Sequence, residues 1–245
     1  LKQEIIDDIF EEKYESENED FSKLINIYTS YRDDTPLKEL VLKIYSYIQS
    51  NPFPEKWLNE KVEMFNLGDK LEEDFGQTIW GRVLLQEVKE TAIDSIKSLE
   101  TIERHLSVEK ELEKFWQVIR NDLEQLKILS DSTNSWDKAY EVCQNFEFVT
   151  WPRKNSNLEI KEKAKIARDE IKEKIKSITT KILNCTSKEA NQDIYDMYGI
   201  LKKLEDLILE FTKEFSKRKR DKNIVDFYDI EHFALEILLK TDESG

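Results

Sequence analysis

Between Ile79 and Phe215 the apolar residues return about every 3.6 positions, the spacing that gathers them on one face of an α-helix. Four such stripes run in succession. The first joins Ile79, Val83, Val88, Ala92, Ile96, Leu99 and Ile102; after a break near Ser107 a second joins Val108, Leu112, Phe115, Ile119, Leu123 and Leu126. A third runs from Ile160 through Ala164, Ala167, Ile171 and Ile175 to Ile182. A fourth runs from Ile194 through Met197, Leu201, Leu204 and Ile208 to Phe215, entered by a capping box over Thr186–Glu189. Strands need a period of two, and five glycines with four prolines in 245 residues are too few turn formers for a many-stranded sheet. The expectation is an all-α protein: an elongated antiparallel helical bundle in which each stripe covers a neighbour's.

The N-terminal part reads as shorter helices. Residues 1–40 hold twelve Asp or Glu against five Lys or Arg, and Tyr14–Asp20 reads as a solvated link. Thr35 followed by Pro36 predicts a helix start with the threonine as cap, and a helix running through Leu40, Ile44, Tyr47 and Ile48. Pro52 and Pro54 end that helix and open another, with Trp57 and Leu58 docking the turn. A short helix over Trp136–Cys143 leads into an irregular stretch, Phe146–Asn157.

The formal charge of −14 repels nucleic acid and anionic membrane as a whole, so any DNA contact must come from a local basic patch. Cys143 and Cys185 are far apart, with no paired cysteines or histidines that predict zinc or a disulfide framework, and the cytosol is the expected compartment. No apolar run approaches the ~20 residues of a membrane span, and the acidic, amphipathic first residues are unlike a signal peptide. A start at Leu1 without methionine points to a piece of something longer. The glycines at 68, 76, 81, 199 and 245 are too scattered to cradle a phosphate, and Asp229 with His232 gives a single Asp-x-x-His where a di-metal bundle needs several. No catalytic, cofactor-binding or metal-binding constellation is expected.

Two basic islands stand out in this acidic chain. Residues 153–181 carry ten Lys or Arg against five Asp or Glu, and residues 213–222 carry six against two. Such a face can neutralise phosphates, with Trp151 stacking beside Arg153 and Lys154; the commoner reading on the residues alone is a solvated helix face, with Trp151 a core anchor.

The stretch DFYDIEH at 226–232, with KRKRDKN at 217–223 before it, resembles a segment of the superfamily 1 DNA helicases related to UvrD and RecB, and within them most closely the AddA family of bacterial helicase-nucleases. The first fourteen residues, YTSYRDD at 28–34, the segment 42–58 and FVTWPR at 148–153 are similar to that family in the same order. Tyr228 stands where a small polar residue is expected, and Ile230 where leucine is usual.

The resemblance implies that residues 1–225 are the helical 1B subdomain inserted in the first motor domain, and 226–245 the start of the return into it. It implies a parent that is an ATP- and Mg²⁺-dependent 3′–5′ DNA helicase and exonuclease, paired with an AddB-like subunit, whose 1B subdomain lies beside the incoming duplex. The candidate contacts to double-stranded or tailed DNA are Trp151, Arg153, Lys154, Lys161, Lys165, Arg168, Lys217, Arg218, Lys219, Arg220 and Lys222. Asp226, Phe227 and Asp229 are expected to serve as structural residues where the insertion rejoins the motor, the aspartates meeting backbone or basic partners. The rival expectation is an arm that contacts the AddB-like partner without touching DNA.

Overall fold

The computed structural model describes residues 1–29, 33–108, 110–153 and 159–239, and all their regular elements are helical. In chain order the α-helices are α1 (Lys2–Glu15), α2 (Glu19–Tyr28), α3 (Thr35–Ile48), α4 (Pro54–Glu63), α5 (Ile79–Leu106), α6 (Glu113–Ser132), α7 (Trp136–Gln144), α8 (Glu159–Lys181), α9 (Ser187–Asp221) and α10 (Phe227–Leu238). The all-α expectation holds. Two compact units result, one from Leu1–Leu67 with Ile194–Gly245, the other from Gly68–Asp193.

The first unit closes over a core drawn from α1 to α4 and from α9 beyond Ile194. Ile5, Ile9, Phe10, Val41, Ile48, Ile208 and Phe211 are all buried in it. Tyr45 meets the rings of Phe211 and Phe215 edge-on, with centroids at 5.1 and 5.6 Å, an arrangement aromatic quadrupoles favour. Those rings set the rotation of α3. Its buried face is Leu37, Val41, Tyr45 and Ile48, whereas Tyr47 is 64 % exposed and packs on Trp57 at the surface. The start of α3 also differs: Thr35 is already helical, behind the N-cap Asp34, and its amide donates to Asp33 Oδ1 at 3.0 Å. The break at the two prolines falls where expected, with α4 opening at Pro54 and Leu58 buried.

In the second unit α5 and α6 form an antiparallel hairpin: Glu103 meets Trp116, and three residues earlier Glu100 meets Lys127. Helix α8 packs on both. The inner face of α5 is Leu85, Val88, Ala92 and Leu99. Val83 falls off that face and Val108 lies beyond the helix end, so both are exposed despite their place in the expected stripes.

Asp74 ties one end of this unit together. Its carboxylate accepts from the amides of Gly76 and Trp136, at 2.8 and 2.9 Å, and from the Ser135 hydroxyl at 2.6 Å. Burial works to raise its pKa, but these donors outweigh that and hold the carboxyl below its ordinary range. Trp136, 1 % exposed, donates its indole N–H to Cys185 O and meets Phe75 edge-on. Two of the scattered glycines have structural reasons. A β-carbon at Gly81 would overlap the Phe75 carbonyl, and Gly68 adopts a left-handed φ of 53°. The capping box at Thr186 and Glu189 forms as expected.

Candidate nucleic-acid interface

The C-terminal basic island ends α9, and its geometry follows from how that helix stops. Asn223 takes a left-handed φ of 53°, its amide donates to Arg220 O, and the Ile224 amide reaches back to Lys219 O. This pair of backbone hydrogen bonds, with the left-handed Asn223, closes the helix. The chain then re-enters a helix at Asp226, whose Oδ1 accepts from the Asp229 amide while Asp229 Oδ2 accepts from the Asp226 amide. The capping box leaves one oxygen of each aspartate free, and both accept from Lys219 Nζ, at 3.0 and 2.5 Å.

The two aspartates are therefore caps of α10 and counter-ions of Lys219. Lys219 is nearly buried, its ammonium 4.6 Å from the centre of the Phe215 ring. Burial tends to raise the Asp226 pKa, but Lys219 and the Asp229 amide more than offset it and hold the carboxyl below its usual value. Phe227, the first of the two aromatics between them, is 85 % exposed.

The remaining cations of this island divide by what they touch. Arg218 donates to Asp8 at 2.8 Å and to Glu214, and Lys217 lies 3.4 Å from Glu214. Arg220 and Lys222 are exposed and hold no ion pair among the described residues. Lys213, about two turns before them, is likewise exposed and unpaired.

The other island divides the same way. Arg168 is 1 % exposed: its Nε donates to Asp122 Oδ2 at 2.5 Å, and Nη2 donates to Asp122 Oδ1 and to Val149 O. Burial pushes the Asp122 carboxyl up, and Arg168 pulls against that. This pairing inside the unit removes Arg168 from the surface expected of it; Nη1 lacks a partner, so the site is not fully satisfied. Trp151 packs tilted on Phe115 at 5.1 Å with its indole N–H buried, the geometry of an anchor and not of a stacking platform. Lys161 is mostly covered, near Glu162 and the Phe115 ring. Arg153 and Lys165 are exposed without an ion pair among the described residues, and Lys154 lies outside them.

Sequence reasoning missed the buried pair, although both partners interrupt apolar stripes: Asp122 falls among Ile119, Leu123 and Leu126, and Arg168 between Ala164 and Ile171. Among the described residues no cluster of His, Cys, Asp or Glu is arranged to hold a metal, and no helix is long and apolar enough to cross a membrane.

No family model matches the chain. Over its whole length it is similar to AddA proteins, described as a subunit of an ATP-dependent helicase/nuclease: 38 % identical to that of Acetivibrio thermocellus, 36 % to that of Ruminiclostridium cellulolyticum and 34 % to that of Clostridioides difficile. The chain spans 20 % of the length of each of these curated relatives.

Proposed function

This chain belongs, over its whole length, to one segment of the AddA family of ATP-dependent helicase/nuclease proteins, and from that premise we propose that it is the non-catalytic helical 1B arm of such an enzyme, holding duplex DNA ahead of the motor during the processing of DNA ends in recombinational repair. The observation that carries this reading is the set of exposed cations without ion pairs, Arg153 and Lys165 in one unit and Arg220 and Lys222 in the other. In a chain of charge −14, exposed and unpaired cations within the two basic islands are free to displace counterions from phosphates. ATP and Mg²⁺ belong to the motor of the parent in this reading, which works in the cytoplasm beside an AddB-like subunit.

The test is charge reversal of Arg153, Arg220 and Lys222 in a full-length family member, read as affinity for a tailed duplex against salt. Weaker binding with a flatter salt dependence supports the assignment; unchanged binding removes it. One observation favours a second role. Helix α10 has no buried residue, and Phe227, Ile237 and Leu238 are 85, 83 and 77 % exposed, an apolar face suited to protein contact. A chain that bound the partner subunit but no DNA would establish that role in place of the first.

A further inference from the structure

The first unit contains a cavity of about 700 Å³ between α3, α4, α9 and α10, within the size range of small-molecule sites. Two of its lining residues are almost fully buried yet keep unused hydrogen-bonding groups. Tyr45 is 2 % and Gln49 7 % exposed, and among the described residues neither the phenol hydroxyl nor the carboxamide has a hydrogen-bond partner. Burial, reinforced by Asp226 and Asp229, keeps the Tyr45 phenol protonated and so a donor. Phe53 adds a half-exposed aromatic face.

A groove of about 610 Å³ adjoins this cavity, sharing Glu55, Thr212 and Ser216 with it. Lys213 and Arg220 line the groove. They stand seven residues apart on α9, roughly 10 Å along the axis at about 1.5 Å per residue and on one side of the helix. Neither is committed to an ion pair among the described residues, unlike Lys217, Arg218 and Lys219 beside them. Of the groove's two carboxylates, Glu210 is held by Lys13 at 2.6 Å, and Glu55 faces the cavity as well.

We propose that this composite site takes one nucleotide of a single DNA strand, its base in the cavity against Gln49, Tyr45 and Phe53 and its phosphate in the groove between Lys213 and Arg220. The proposal rests on the nucleic-acid reading above and deepens it. A carboxamide offers two donors and an acceptor, the complement of a base edge; an aromatic face receives any base, and paired cations receive the phosphate. Glu55, between the two, accepts from an exocyclic amine or a base N–H. A peptide would use the carboxamide but not the adjoining cationic groove.

The test measures binding of the chain to a labelled short oligothymidylate, to a duplex of equal length and to dTMP, for the natural sequence and for Gln49→Leu, the double variant Lys213→Gln/Arg220→Gln, and Lys89→Gln, on α5 of the other unit, as a control. Circular dichroism verifies that each is folded. Gln49→Leu is expected to weaken oligothymidylate binding about tenfold without altering its salt slope or duplex binding. The double variant is expected to lower both affinity and slope, the slope by about 1.4 for two phosphate contacts at roughly 0.7 each. Oligothymidylate binding unchanged in either variant, or binding of duplex alone, overturns the site and leaves the DNA-holding reading standing. Binding of dTMP without the oligonucleotide overturns the strand, and absence of all three removes both proposals.

Discussion

Lys219 Nζ lies 2.5 Å from Asp229 Oδ1, and through that bond the last turn of α9 holds the first turn of α10. Little else does. Apart from the second bond to Asp226 and a contact of His232 Nε2 with Asn51 O, α10 has no buried side chain to fix it in place. Replacing Lys219 by Met leaves two partly covered carboxylates without their cation, so the cost concentrates locally. Amide exchange across Phe227–Leu238 is expected to accelerate by about tenfold while α5 and α6 exchange as before. Equal protection of α10 in the variant would mean that the clamp does not hold it.

The same clamp has a pH dependence with a definite sign. The Asp226 carboxyl is depressed in the folded state, so its stabilisation is fully present above the ordinary aspartate value of about 3.9 and is lost as pH falls through the folded value. Carboxyl-detected NMR is expected to place the Asp226 midpoint below about 3.9. A midpoint above that value contradicts the geometry.

The Arg168–Asp122 pair is costly to break. Both partners are essentially unexposed, so Arg168→Leu strands a carboxylate and is expected to cost about 3–5 kcal/mol in urea unfolding. The double variant Asp122→Leu/Arg168→Leu removes both charges and should recover most of that loss. Equal losses in the two variants would mean that packing, not charge compensation, governs the site.

Gly81→Ala sets two effects against each other. Helix propensity alone favours alanine by up to ~1 kcal/mol. The added carbon would overlap the Phe75 carbonyl, which belongs to a turn held by Ser187 and Asp74 and has little room to give. Overpacking of this kind costs typically about 1–3 kcal/mol, so net destabilisation is expected in denaturant titration. A stabilised variant would show that the turn yields.

What was legible in the sequence was whatever depends on period and local chemistry. The helices, the proline break and the Thr186–Glu189 box follow from spacing and side-chain donors, and they form where expected. The rotation of α3 was not legible, because Tyr45 turns inward to meet Phe211 and Phe215, residues more than 160 positions away in the chain. For the same reason charge counts could not separate Arg168 and Lys219, consumed by Asp122 and by Asp226 with Asp229, from Arg220 and Lys222 at the surface. The cavity at Gln49 was hidden because it exists only where α3, α4, α9 and α10 converge.

The most direct test of DNA holding is fluorescence anisotropy of labelled blunt and 3′-tailed duplexes titrated with this chain at several salt concentrations. The account predicts weak binding that falls steeply with salt, with a slope reduced by about 0.9 for each phosphate left without its cation when Arg153, Arg220 or Lys222 is neutralised. No binding at the lowest salt, or binding indifferent to salt and to those substitutions, would contradict it.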